Sequence, residues 1–254
     1  IKNVKSVIVP HTNGLKGIEV AAAAGALYGN ADAKLEVLSN ALNSQIQSLP
    51  EYMHHTNITV KHFEQGHVFD LLVTVYYEQE QASVRIIDSH TNIVQIEKNW
   101  KVIYEDQKTS QIQKADHSAL IMKQIWDFSQ SVEIEDIKAI LDQQISCNMA
   151  IAKEGIQHSY GANIGHVILN MDTDCVKTKA KAYAAAGSDA RMNGCELPVV
   201  INSGSGNQGI TCCVPVVVYA RELHCSQEKL YRALILSNLT AIYIKTGIGT
   251  LSAF

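Results

Sequence analysis

The feature that most restricts the fold is a change of hydrophobic period partway along the chain. Between Asn57 and Glu105 the sequence runs through short segments rich in β-branched and aromatic residues: Ile58–Phe63, Phe69–Tyr77, Ser83–Asp88, Ile93–Glu97 and Lys101–Tyr104. Short polar breaks separate them, so consecutive strands of an antiparallel meander are expected, covered on one face by the helices that precede them. Those helices are legible from apolar spacing. Ile18–Tyr28 is Ala-rich and closes at Gly29-Asn30, and Ala31–Leu49 carries Leu35, Leu38, Leu42, Ile46 and Leu49 on one stripe, with Pro50 after its last turn. A further strand is predicted at Lys5–Pro10.

Beyond a polar stretch at Asp106–Asp116, the best linker in the chain, the pattern becomes mostly helical. Helices are predicted over Ala119–Phe128, from Ile134 to Leu141 with either a break or a continuation into Cys147–Glu154, over Val176–Ala186, and over Glu228–Lys245. Ile210–Ala220 reads as strand by its β-branched content and as helix by its place after a glycine-rich loop; the helix, kinked at Pro215, is the preferred reading. The fold class expected is α+β: an antiparallel sheet with covering helices over residues 1–110, then a mostly helical domain over 111–254.

Composition narrows the function classes. At 46% hydrophobic and 18% charged residues the chain is globular, not disordered. No apolar run approaches the roughly 18–20 residues that cross a bilayer, so no membrane partner is expected. A net charge of −4 without a Lys/Arg cluster argues against nucleic acid. A small-molecule ligand is the better expectation. The six cysteines, Cys147, Cys175, Cys195, Cys212, Cys213 and Cys225, include no C-x-x-C pair and no zinc-finger spacing. No secretory leader is visible, and reduced thiols in a cytoplasm are expected. Both ends read as cut: the chain opens at Ile1 without Met and closes on the apolar run Thr250–Phe254. An internal piece of a larger enzyme, inactive by itself, is therefore expected.

The most informative stretch is Asn202-Ser203-Gly204-Ser205-Gly206-Asn207-Gln208-Gly209. Alternating glycines suit neither a helix nor a strand interior, but they allow several backbone N–H groups to face one anion. A helix starting at Ile210 would add its dipole there. No Lys-Ser/Thr follows, which excludes a phosphate P-loop; a passive Gly/Ser connection is the bland alternative. Upstream, Asp189 and Arg191 in Ser188–Gly194 stand beside this loop. Arg191 can grip a substrate carboxylate with its fork of donors, or Asp189 can cap a helix with Arg191 structural. His90 and Asn92 sit between two predicted strands, where an imidazole can shuttle protons or bind a carboxylate. The His-Thr-Asn sequence recurs at His11–Asn13 and His55–Asn57 with unlike flanks, which fits turn chemistry, not a repeat.

The runs Ser188–Gly194 (SDARMNG), Leu197-Pro198, Asn202–Thr211 (NSGSGNQGIT) and Pro215–Val218 resemble the signature block of L-cysteine desulfidase-like proteins, which are related to the alpha chain of iron–sulfur L-serine dehydratases. Ala24–Ala31, His90–Val94, Cys147-Asn148 with Glu154-Gly155, and Leu236-Ser237 with Ala241–Ile244 match in order across nearly the whole chain. The resemblance implies a lyase that removes hydrogen sulfide or water from L-cysteine or L-serine to give pyruvate and ammonia. It also implies a serine dehydratase beta-like character for residues 1–110 and an alpha-like one for 111–254. Assembly into a homo-oligomer is left open by the sequence. A [4Fe–4S] cluster held by three cysteines would supply a Lewis acid in the whole protein. The substrate-binding residues implied are Ser203, Gly204, Ser205, Gly206, Asn207, Gln208, Arg191, His90 and Asn92.

This sequence departs from that pattern in three places. The family's N-terminal Gly-Cys-Thr-Glu-Pro-like segment has no match, none of the six cysteines falls on a ligand position, and His11 stands where a Pro-Gly-Thr-Gly-like turn is more common. No metal ligand, no catalytic base and no bound cluster are therefore expected within this chain. A non-catalytic amino-acid-binding module and a pyridoxal phosphate enzyme are the competing classes. The second needs a Schiff-base lysine, and Lys177, Lys179 and Lys181 read as a solvated helix face.

Overall fold

The computed structural model describes residues 8–62, 67, 69–106, 117–118, 120–171 and 175–248. It is an α+β chain with one four-stranded antiparallel sheet. Two compact units divide it, Ile1–Lys114 and Ala115–Phe254. Residues 5–7 of the first predicted strand, and the linker stretch from residue 107 to 116, lie outside the described residues.

In the first unit α1 (Ile18–Tyr28) forms as its composition predicts and packs on α2 (Asn43–His55) through Val20, Ala23, Ala24 and Leu49. The single helix expected over Ala31–Leu49 does not form. A 3₁₀ segment at Ala31–Glu36 is broken at Lys34, whose φ of 52° no right-handed helix accepts. The chain restarts at α2, where the Leu42 N–H donates to Gln45 Oε1 at 2.9 Å. Pro50 then lies inside α2, not after it. The bond it forfeits to the Ile46 carbonyl is outweighed because Ile46 and Leu49 are both buried in that turn.

The sheet runs β1 (Asp70–Tyr77), β2 (Glu80–Ile87), β3 (Ile93–Lys98), β4 (Lys101–Glu105), in that spatial order and antiparallel throughout. Its last hairpin turns on Asn99 and Trp100, with φ of 49° and 66°, the two positive values a type I′ turn requires. β1 and β2 are stapled by Arg85, whose Nε and Nη2 donate to Asp70 Oδ1 and Oδ2 at 3.0 and 2.7 Å. The predicted strand at Ile58–Phe63 is absent from the described part, Ile58–His62, which pairs with no other strand; Phe63 lies outside the described residues. The buried cluster between α1 and α2 contains no strand residue, and Val73 and Val75 of β1 remain exposed.

The second unit is helical: α3 (Met122–Ser131), α4 (Lys138–Gln157), α5 (Ile164–Met171), α6 (Val176–Met192), α7 (Gly206–Glu222) and α8 (Gln227–Thr246). α4 runs unbroken through Cys147–Glu154, and only a 3₁₀ turn at Ile134–Asp136 precedes it. α6 extends past Ala186 to Met192, and α7 takes the helical form with Pro215 inside. α5 is too short for its periodicity to show in the sequence.

α4 and α6 pack closely because small residues meet: a Cβ on Gly155 would stand 2.1 Å from the Ala186 carbonyl oxygen. Around that contact Ile151, Ala152, Ile210, Cys213, Val214, Val217 and Leu234 form a closed apolar core. No helix among the described residues is long and apolar enough to cross a membrane.

Candidate functional site

Every residue from Asn202 to Gly209 has a local reason for its shape. Asn202 and Ser205 exchange backbone hydrogen bonds, N–H to O, at 3.1 and 3.0 Å. Between them Ser203 (φ 46°) and Gly204 (φ 77°) take two consecutive positive dihedrals, the conformation of a two-residue reverse turn. Ser205 then caps α7, its Oγ accepting the Gln208 N–H at 3.3 Å. The helix therefore starts four residues earlier than Ile210, and the glycine run is a tight turn plus a first helical turn. Two N–H groups of the expected anion cradle, those of Asn202 and Ser205, are spent on the turn itself. The N–H groups of Gly206 and Asn207, in the first turn of α7, meet no acceptor among the described residues.

Arg191, in the last turn of α6, reaches this first turn. Its Nη1 donates to Asn207 Oδ1 at 3.1 Å, and its Nε lies where a Cβ on residue 206 would come within 2.2 Å. Gly206 is thus the residue that admits the guanidinium. Burial pushes the Arg191 guanidinium below its ordinary value, yet an arginine stays charged at neutral pH. No carboxylate pairs it among the described residues. A half-buried, unneutralised cation facing a helix N-terminus is suited to an anion with two oxygens.

Asp189 goes elsewhere. Its Oδ2 accepts the Ile164 N–H at 2.8 Å and so caps α5, while Asn193 Nδ2 donates to the Asp189 carbonyl. The acid and the base of SDARMNG serve different helices. His90 and Asn92 belong to the first unit. The His90 ring lies against Phe69, centroids 5.1 Å apart, and Asn92 Nδ2 donates to the Ile87 carbonyl at 3.0 Å, holding the turn between β2 and β3. His11 has a φ of 55°, and its carbonyl accepts the Tyr28 hydroxyl at 2.9 Å.

Beneath the turn lies a set of amides whose role sequence reading missed, buried at Gln144, Asn148 and Asn202 and partly buried at Asn238. Asn148 clamps Val200 in both directions, accepting its N–H at 2.8 Å and donating to its carbonyl at 3.1 Å. Asn202 Nδ2 donates to Asn238 Oδ1 at 2.9 Å, and Asn238 exchanges two 2.9 Å bonds with Gln144. The available signal was polar interruption of apolar helical stripes, as at Asn238 between Leu234 and Leu239.

The cysteines are packed, not gathered. Cys212 and Cys213 are buried, and desolvation pushes their thiols up to about 11 and about 12, so both are protonated at neutral pH. Cys213 Sγ donates to the Gln144 carbonyl at 3.7 Å. Among the described residues no three His, Cys, Asp or Glu side chains converge as a metal site would require.

Known proteins share this sequence at length. The serine dehydratase alpha chain family matches residues 32–254, all of the second unit and the first unit from residue 32 onward. The chain is 50% identical to a UPF0597 protein of Desulfitobacterium hafniense (strain Y51), over 100% of this chain and 60% of that protein. It is 44% identical to a UPF0597 protein of Lachnoclostridium phytofermentans and 43% to one of Finegoldia magna, each over 100% of this chain and 61% of the relative. The chain thus spans about 60% of the length of these relatives. No solved structure matches.

Proposed function

The chain belongs to the serine dehydratase alpha-chain family, and on that premise we propose that it supplies the carboxylate-binding part of a cytoplasmic lyase acting on L-cysteine or L-serine. The overall reaction removes the α-proton and the β-substituent, releasing hydrogen sulfide or water and leaving an aminoacrylate. Tautomerisation to the imine and hydrolysis then give pyruvate and ammonia. One observation carries this reading: Arg191 is charged, half-buried and without a carboxylate among the described residues, beside the first turn of α7.

In this reading Arg191 donates to the α-carboxylate while the Gly206 and Asn207 N–H groups, reinforced by the α7 dipole, approach the same group. Asn207 Oδ1 holds the guanidinium plane. Fixing the carboxylate orients the Cα–H and the Cβ–leaving-group bonds for elimination. Ser203 and Ser205 keep the turn's shape, and Gln208 is tied to Asn202 by its side chain at 3.4 Å.

The family resemblance implies a [4Fe–4S] cluster, whose free iron would polarise the leaving group. The described cysteines do not fit it: the two most buried are protonated and packed, and no three converge. No step is assigned to them, and the cluster's ligands would lie elsewhere in the whole protein.

The test is anaerobic purification of the whole protein and assay of sulfide and pyruvate from L-cysteine and L-serine, with wild type and Arg191→Met. The expected result is turnover of at least one amino acid. Arg191→Met should raise KM by about 30-fold or more, the loss of a charge-assisted pair of roughly 2 kcal/mol. A protein that binds amino acids but forms no product would be a sensor, and the lyase reading would fail.

A further inference from the structure

The amides under the turn cannot reach an anion above it through the bonds they make, yet they determine where the turn stands. Asn238 lies in the middle of α8, 36 residues from Asn202. Its Oδ1 accepts from Gln144 Nε2 and from Asn202 Nδ2, both at 2.9 Å. Its Nδ2 donates to Gln144 Oε1 and to the Leu234 carbonyl, also at 2.9 Å. That is the full capacity of a carboxamide. Its backbone carbonyl takes a second bond from Asn202 Nδ2 at 3.2 Å.

Gln144 is 3% exposed and Asn202 6%. Burying amides in a helical core gains little net stability over apolar side chains of the same shape, whereas a fully satisfied set admits only one arrangement. The arrangement has a direction. Asn202 makes both backbone bonds of the turn with Ser205, Ser205 caps α7, and α7 begins at the Gly206 and Asn207 positions that receive Arg191. A second anchor holds the approach to the turn: Asn148 fixes Val200, whose carbonyl oxygen stands 2.0 Å from where a Cβ on Gly209 would lie.

We propose that Asn238 is a positioning residue: through Asn202, and backed by Gln144, it holds the Ser203–Gly204 turn and the start of α7 in the geometry that receives the substrate carboxylate. The proposal rests on the carboxylate reading of Arg191, and it adds a residue on another helix that touches no substrate. It separates two roles in the core of the second unit. Leu234, one turn earlier on α8 and fully buried, stabilises the fold; Asn238 sets the site.

The experiment is an NMR titration of the ¹⁵N-labelled chain with L-serine, together with amide hydrogen exchange at Asn202 and Ser205. Wild type, Asn238→Leu, Gln144→Leu, Leu234→Ala and Arg191→Met are compared. Asn238→Leu should weaken L-serine binding by about tenfold and speed exchange of the Ser205 amide by a similar factor, as expected from losing one or two partly buried hydrogen bonds. Gln144→Leu should act in the same direction, by about threefold. Leu234→Ala should lower the melting temperature while leaving affinity within about twofold, because a cavity costs stability without unfastening the turn.

Affinity and exchange unchanged in Asn238→Leu would overturn the proposal. So would a Leu234→Ala protein that loses affinity in proportion to its melting temperature. If Asn238→Leu does not fold, Gln144→Leu carries the same two readouts. If wild type shows no response to L-serine, the carboxylate reading falls, and exchange at Ser205 decides the positioning claim by itself.

Discussion

Arg191 and Gly206 are best understood as one residue pair divided between two helices. The guanidinium occupies the space that a side chain at position 206 would fill, at 2.2 Å from the ideal Cβ. Gly206→Ala should therefore displace Arg191 without altering its charge. The expected outcome is loss of amino-acid binding comparable to Arg191→Met, with a stability cost of about 1–3 kcal/mol from overpacking, read by calorimetric titration and thermal melting. Retained binding would mean that the guanidinium is not confined there. Gly204 is constrained by its φ of 77°. The same residue type thus answers to backbone conformation at one position and to the Arg191 side chain at the other, which spacing in a sequence cannot separate.

At the scale of elements, long periodic segments were legible and short or interrupted ones were not. α1 and α8 follow from apolar spacing and composition, and the four strands follow from β-branched runs between polar breaks. The helix expected over Ala31–Leu49 failed because Lys34 turns left-handed and a new helix starts at Asn43, neither of which disturbs the leucine stripe that suggested it. α5 escaped notice because it is only 8 residues long and because its N-terminus is also capped by Asp189 from another helix, 25 residues away. The sheet carries its own test. Its Arg85 hydrogen bonds hold the Asp70 carboxyl below the usual carboxylate range. A depressed carboxylate adds stability above its unfolded value of about 4, and that stability is lost as pH falls through the lower folded value. Asp70→Asn should remove this acid dependence and cost roughly 1–2 kcal/mol at neutral pH, measured by amide exchange in β1 and β2 between pH 7 and pH 3. An unaltered acid profile would show that the pair contributes nothing.

For the whole molecule, the candidate site was legible as a stretch of sequence and not as a mechanism of support. NSGSGNQG and Arg191 stand out by residue type, but the amides that fix them, Gln144, Asn148 and Asn238, are dispersed over two helices and resemble ordinary polar interruptions. Their role follows from long-range contacts, with 94 residues separating Gln144 from Asn238. The second unit thus combines a closed apolar core, which sets stability, with a polar seam that sets the shape of one turn. In the proposed function this turn, with Arg191, receives the α-carboxylate of an amino acid. The decisive experiment is calorimetric titration of the chain with L-serine and with L-serinamide, the same molecule lacking the charged carboxylate, in wild type and Arg191→Met. L-serine should bind to wild type, serinamide should bind at least about tenfold more weakly, and Arg191→Met should abolish the difference. Equal affinity for the two ligands in wild type, or undiminished discrimination in Arg191→Met, would contradict the proposed function.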